Sequence, residues 1–170
     1  MSRRRVPVPA RLVVSAIFRE ERHFEESLQR IVDAVGEIRP EGGRRPFAWT
    51  EYYEREMGSP LFRRFLTAAT PVERDALPDI KVRFEKIERG LSEEGRRTVN
   101  LDPGLVTAEN FVLATGKNYS HRIYLRDGVF ADLTLLFRGG EYRALPWTYP
   151  DYASDEVRAL LSDIRRAHLS

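Results

Sequence analysis

Residues Leu12 to Phe18 read LVVSAIF, a short run that is rich in β-branched residues and almost continuously hydrophobic. A run of this kind predicts a strand that is buried on both faces and is therefore central in its sheet. After it, Phe24, Leu28 and Ile31 begin a helical apolar pattern that stops at Gly36. The chain is thus predicted to open with a central strand followed by an amphipathic helix.

The next elements extend this pattern to a recognisable order. Phe47 to Tyr53 is aromatic-rich and extended, and Leu61 to Ala69 predicts another strand. A second amphipathic helix ends near Ser92, and Arg97 to Leu101 predicts a short strand that stops at the turn Asp102-Pro103-Gly104. The predicted order is β-α-β-β-α-β, which is the ferredoxin-like order of elements.

The second half of the chain predicts mainly antiparallel structure. Thr107 is a suitable N-cap for a short helix over Ala108 to Thr115. Asp127-Gly128 lies between two apolar segments and predicts a type I′ hairpin, and Gly139-Gly140 predicts a second tight turn, so three strands form a meander. Ser154 is the expected N-cap of a C-terminal helix. The predicted fold is therefore α+β: the ferredoxin-like order, a short helix, an antiparallel three-stranded meander and a final helix.

Composition limits the class of protein. The chain has 170 residues, which predicts a single domain over residues 1–170 with a flexible N-terminus over residues 1–10. The absence of cysteine excludes disulfides, thiolate catalysis and cysteine-based zinc sites, and no spacing of histidines indicates a metal site. The run Leu12 to Phe18 is too short for a signal-peptide core or a membrane span, so we expect a cytoplasmic protein without membrane contact.

Counting back from the two predicted turns gives a candidate site. The Asp127-Gly128 turn sets His121 opposite Thr134 and Ile123 opposite Asp132, and directly opposed residues share a face. One face then combines an imidazole, a carboxylate, a hydroxyl, a guanidinium and an indole, from His121, Asp132, Thr134, Arg143 and Trp147. These groups suit acid/base chemistry, with His121 and Asp132 as the candidate catalytic pair, or the binding of an anion. The alternative is that this face is the solvated side of an antiparallel sheet.

Other segments supply further candidates. Backbone N–H groups at the predicted turn Asp102-Pro103-Gly104 can receive a phosphate or carboxylate, unless Asp102 only stabilises the turn. Trp147 to Tyr152 is an aromatic loop interrupted by proline, suited to cover a core edge or to stack on a flat ligand. The predicted ligand-binding residues are Asn100, Asp102, Gly104, Lys117, Arg122, Thr134, Arg143, Trp147 and Asp151.

Four stretches carry a resemblance to a known family: Thr50 to Gly58, Asn100 to Gly104, His121 to Leu125 and Leu145 to Tyr152. In this order and spacing the chain resembles the prokaryotic family called domain of unknown function 4416. The resemblance implies a stand-alone bacterial or archaeal domain of this size and no established activity. Some members carry a GTP-binding label, but Gly116-Lys117 here lacks the upstream glycine and the hydroxyl residue of a phosphate-binding loop.

Three functions therefore stay open, with no cofactor indicated by any motif. The first is binding of an anionic small molecule, such as a nucleotide or phosphorylated metabolite. The second is an enzyme that uses His121 with a carboxylate. The third is an RNA-associated or scaffold protein, for which the scattered arginine pairs and a net charge of only +2 give weak support. The sequence does not indicate an oligomeric state.

Overall fold

One antiparallel sheet contains every strand of the part of the chain that the computed structural model describes, which is Met1 and residues 3–170. Ser2, part of the segment predicted to be flexible, lies outside these residues. The sheet curls into a half-barrel with the order β2-β3-β1-β4-β5-β7-β6, and β8 also pairs with β7. The strands are β1 (Arg11–Phe18), β2 (Ile38–Pro46), β3 (Phe62–Ala68), β4 (Val99–Val106), β5 (Asn110–Thr115), β6 (Arg122–Arg126), β7 (Val129–Arg138) and β8 (Glu141–Ala144).

The helices cover both faces of this sheet. The two long helices of the first half pack on one face, and the C-terminal helix packs on the other. Ser154 accepts a hydrogen bond from the Val157 backbone N–H, which confirms its predicted role as N-cap. The helices are α1 (Glu21–Val35), α2 (Glu54–Met57), α3 (Leu77–Gly90), α4 (Pro150–Ala153) and α5 (Asp155–Leu169), and a 3₁₀ turn (Arg74–Ala76) precedes α3.

Strand β1 is central, as its sequence predicts. It pairs with β3 on one side and β4 on the other. Leu12, Val14 and Phe18 pack beneath α1 and α3, whereas Val13 and Ile17 point to the opposite face. Burial on both faces explains why this run is apolar at successive positions rather than at alternate ones.

The α+β class is confirmed, but the molecule is not a ferredoxin-like domain followed by a separate meander. The short helix predicted over Ala108 to Thr115 is wrong, because Asn110 to Thr115 forms β5. Thr107 instead stabilises the turn before β5, where its hydroxyl accepts from the backbone N–H groups of Glu109 and Asn110. Strand β5 bridges β4 and β7, so both halves of the chain join one continuous sheet.

The turn predicted at Asp102-Pro103-Gly104 is also wrong. These residues lie inside β4, opposite Ser15, Val14 and Val13 of β1. An anion-binding turn is therefore absent at this position, because the backbone is extended and already paired with β1.

Both glycine turns of the second half form where predicted. Asp127 and Gly128 both have positive φ, as a type I′ turn requires, and Arg126 pairs with Val129. Leu125 is bulged, however, so Arg122 rather than Ile123 lies opposite Asp132. At the second turn Leu136 lies opposite Arg143, which is the register that a two-residue turn at Gly139-Gly140 produces. Strands β6 and β8 lie along the same edge of β7, since β5 occupies its other edge.

Gly104 is required by close packing rather than by a ligand. A Cβ atom at this position would lie 2.6 Å from the Phe111 ring, which is itself buried in the core. We expect Gly104→Ala to lower the free energy of unfolding by about 1–3 kcal/mol, because a rigid ring and two strands must shift. Chemical denaturation measures the effect, with Gly43→Ala as control because its added Cβ contacts nothing within 4 Å. Equal losses in the two variants would contradict this account.

Candidate functional site

A cavity of about 550 Å³ lies where β4 and β5 separate. The two strands pair only through Gly104, Leu105 and Val106 on the β4 side. Earlier in β4, the Leu101 backbone N–H donates to Glu88 of α3 at 2.6 Å, and Pro103, the next residue facing that edge, has no N–H to offer β5. The sheet therefore opens, and polar side chains of α3 reach the opening.

Many of the buried polar side chains of the protein line this cavity. Of the thirteen buried polar or charged residues in the described chain, seven line it: Ser15, Arg63, Lys81, Glu88, Asn100, Asp132 and Asp151. Buried charges are rare unless they are paired or functional. This concentration selects the cavity as the candidate functional site.

A chain of charged hydrogen bonds crosses one side of the cavity. Arg97 donates to the Glu56 carboxylate from Nε and Nη2, with Nη2 to Oε2 at 2.6 Å, and its Nη1 donates to Asn100 Oδ1 at 2.7 Å. Asn100 in turn donates to Asp102 Oδ2 at 2.6 Å, and the other Asp102 oxygen lies 3.4 Å from Lys81 Nζ. Hydrogen bonds from Arg97 lower the pKa of Glu56, despite its partial burial. The network thus fixes the positions of its members.

Glu88 and Lys81 are charged groups of α3 that the fold buries. Burial raises the pKa of Glu88 to about 7, although Lys81 and the Leu101 N–H act in the opposite direction. Burial disfavours the charge of Lys81, yet the carboxylates of Asp102, Glu88 and Glu85 outweigh it and raise the pKa of that amine. Lys81 therefore stays cationic beside a carboxyl group that titrates near neutral pH.

Arg63 and Asp151 form a buried ion pair in the lining of the cavity. Nη1 of Arg63 lies 2.6 Å from Asp151 Oδ2, and the two residues are 4% and 7% exposed. The guanidinium also lies over the rings of Phe47, Phe65 and Tyr152, at 4.7 to 5.3 Å from their centroids. This pair fastens α4 to the sheet, and Tyr152 beside it lines the cavity.

Asp132 connects the cavity to the predicted catalytic histidine. His121 Nε2 lies 3.2 Å from Asp132 Oδ2, and the same oxygen accepts from Arg122 Nε at 2.9 Å. The imidazole stacks on the Trp147 ring at 5.0 Å, and Thr134 donates to Asp132 Oδ1. Asp132 lines the cavity, whereas His121 and Thr134, which contact Asp132, and Trp147, which contacts His121, do not line it.

Lys117 lies two residues after the end of β5 and lines the same cavity. Its Nζ donates to the Tyr52 hydroxyl at 3.0 Å and lies 4.4 Å from the centre of that ring. In the described chain Lys117 makes no ion pair. It therefore differs from the cavity's other basic side chains, Arg63, Lys81, Arg97 and Arg122, each of which contacts a carboxylate.

The structure brings together most of the residues proposed from sequence, but the strand path and register that do so differ from the predicted ones. The cavity lining includes Asn100, Asp102, Lys117, Arg122, Asp132 and Asp151. Arg143 lies elsewhere, exposed beside Glu141, and Gly104 packs against Phe111. Asp132 and Thr134 are buried, so their face is not the solvated side of the sheet.

Sequence reasoning missed a second group of lining residues: Tyr52, Tyr53, Arg63, Lys81, Glu88 and Arg97. One usable signal was present in α3. Lys81, Glu85 and Glu88 recur at helical spacing directly beside the apolar positions Ile80, Phe84 and Ile87, where charged residues have to border the core. Ser15, the single polar residue of an apolar strand, was a second signal.

These features define an α+β protein with a half-barrel sheet and a charged cavity at the opening between two of its strands. The chain belongs to the family described as Domain of unknown function (DUF4416), whose model matches residues 8–168, and this confirms the resemblance inferred from sequence. No curated protein and no solved structure matches the chain. Among the described residues, no helix is long and apolar enough to cross a membrane.

Glu88 makes stability depend on pH. Because its pKa is about 7 in the folded protein and 4.5 ordinarily, the folded state binds more protons between these values, and stability falls as pH rises through that window. Glu88→Gln removes this dependence. We expect its free energy of unfolding, relative to wild type, to rise by on the order of 3 kcal/mol from pH 4.5 to pH 8.

Urea denaturation at several pH values measures this difference. Glu26→Gln, on the exposed surface of α1, is the matched control and should show no such trend. A constant difference between Glu88→Gln and wild type across the window would show that Glu88 does not titrate there.

The Arg63–Asp151 pair gives a separate stability prediction. Arg63→Met leaves a buried carboxylate without its partner, and we expect a loss of about 3–5 kcal/mol. The double variant Arg63→Met, Asp151→Leu removes both charges and should recover most of that loss. A double-mutant cycle by denaturation checks this, and additive losses would contradict coupling between the two residues.

Proposed function

We propose that this protein binds a small molecule that carries an anionic group, such as a nucleotide or a phosphorylated metabolite, in the cavity between β4 and β5. The observation that carries the proposal is Lys117, an ammonium group at the cavity whose hydrogen-bond partner is the Tyr52 hydroxyl rather than a carboxylate. A phosphate or carboxylate at this position would gain a charge-assisted hydrogen bond without displacing an existing ion pair.

Arg122 supports Lys117 more than it offers a second free contact. Its Nε donates to Asp132, its Nη1 to the backbone carbonyl of Lys117 at 3.0 Å, and its Nη2 to the Tyr149 hydroxyl at 3.1 Å. The guanidinium therefore holds the backbone of the segment after β5 in place. An anion beside Lys117 would also experience the positive charge of Arg122.

Size and lining suit a ligand with a flat body. A volume of about 550 Å³ falls within the usual range of small-molecule sites. Tyr52 and Tyr53 pack edge to face at 5.1 Å, and Tyr149 and Tyr152 line other parts of the cavity. Aromatic rings of this kind provide stacking area at low entropic cost, and the polar groups between them fix orientation.

The two other functions suggested by sequence have less support. His121 contacts Asp132 but does not line the cavity, so acid/base chemistry by the imidazole would have to act through Asp132. The arginine pairs suggested for RNA are largely occupied within the protein: Arg44 and Arg64 contact Glu21, Arg45 contacts Glu156 and Arg97 contacts Glu56. Arginines engaged in this way form a poor footprint for phosphate backbones.

Thermal-shift and calorimetric titration with a panel of nucleotides, sugar phosphates and phosphorylated amino acids tests the proposal. We expect at least one member to bind, and Lys117→Met to weaken it about tenfold, the equivalent of about 1.4 kcal/mol. Lys86→Met, at an exposed position of α3 outside the cavity, is the control and should bind as wild type does.

Two outcomes would overturn the proposal. One is that no phosphate or carboxylate compound of the panel binds the wild-type protein. The other is that the Lys117 and Lys86 variants bind equally well, since the anion would then not be held at Lys117.

A further inference from the structure

Glu88 offers an acceptor that the protein itself does not use. One carboxylate oxygen accepts from the Leu101 backbone N–H at 2.6 Å, whereas the second has no hydrogen-bond donor among the described residues. The residue is only 6% exposed and lines the cavity. That second oxygen is not among the fully buried atoms without a partner in the described chain, so it is still accessible from the cavity, where a donor of a ligand can contact it.

The ionisable groups around Glu88 include more carboxyl groups than cations. From α3 come Lys81 and Glu85, and from β4 comes Asp102, which already contacts Lys81 Nζ at 3.4 Å. Arg97 also acts on Glu88, but its Nε and Nη2 donate to the two Glu56 oxygens and its Nη1 donates to Asn100. The buried Glu88 and the half-buried Asp102 therefore share the single ammonium of Lys81, with Glu85 as a third carboxyl group nearby.

We propose that the ligand of this cavity is zwitterionic, with a protonated amine or amidine that contacts Glu88 and an anionic group that contacts Lys117. This inference rests on the proposed function and specifies its ligand class. The amine would donate a hydrogen bond to the second Glu88 oxygen. Its positive charge would offset the excess of carboxyl groups around Lys81. Tyr53, which has no hydrogen-bond partner in the described chain and whose pKa burial raises, lines the same cavity as a neutral phenol.

Proton exchange on binding is a direct consequence. A ligand cation beside Glu88 favours the carboxylate and lowers its pKa from about 7, so binding at pH 7 should release up to about half a proton. An anionic ligand without the amine gives Glu88 no reason to ionise. Proton release therefore reports the amine contact independently of affinity.

Two pairs of phosphates test the inference. Pyridoxamine phosphate and pyridoxine phosphate differ only in an aminomethyl against a hydroxymethyl group, and O-phosphoethanolamine and ethyl phosphate differ only by the amine. We expect the wild-type protein to bind the amine of at least one pair tenfold or more tightly than its partner. Glu88→Gln, which keeps an acceptor for the Leu101 N–H, should abolish that preference, and Glu26→Gln should retain it.

Calorimetry in two buffers of different ionisation enthalpy measures the proton release of the wild-type protein. This readout decides the question even if Glu88→Gln does not fold. Equal binding within both pairs, a preference that survives in Glu88→Gln, or binding of the amines without proton release would each overturn the inference and leave the proposed anion site intact. If no phosphate of either pair and none of the wider panel binds, the proposed function fails, and this inference fails with it.

Discussion

The hydrogen bond from the Leu101 backbone N–H to the buried Glu88 carboxylate is the interaction on which the site depends. It satisfies an edge of β4 that would otherwise pair with β5, and Pro103 leaves the next position of that edge without a donor. The sheet can therefore stay continuous at Gly104 to Val106 and open immediately before it. The cavity is a consequence of this local replacement of strand pairing by a side chain.

Charged side chains line the opening between β4 and β5. Most of their charges are compensated by an oppositely charged neighbour. Arg97 with Glu56 and Arg63 with Asp151 are matched within the protein, and aromatic rings surround the Arg63 guanidinium. Such pairs add little net stability compared with apolar packing, but they hold side chains in defined positions. A cavity with fixed polar groups loses little entropy when it binds, which is why compensated charges at this place favour a binding role.

Two groups depart from this compensation, and they lie on different elements. Lys117 follows β5 and has the Tyr52 hydroxyl as its partner, whereas Glu88 on α3 keeps one carboxylate oxygen without a donor among the described residues. The remaining polar groups position these two, as Arg122 does through the Lys117 carbonyl. The class of ligand is thus inferred from the charges of Lys117 and Glu88, which the protein does not fully pair, rather than from a sequence motif.

Local sequence determined the elements whose signals are short-range. The apolar run of β1, the type I′ turn at Asp127-Gly128 and the Ser154 cap all form as their residues predict, because each depends on neighbouring side chains or on backbone conformation. The strand at Asn110 to Thr115 and the extended path through Pro103 depend instead on partner strands distant in sequence. The Leu125 bulge likewise changed which residue lies opposite Asp132. Only the tertiary structure could bring Arg63, Lys81 and Glu88 to the residues after β5, since burial and charge compensation are set by packing between elements rather than by order along the chain.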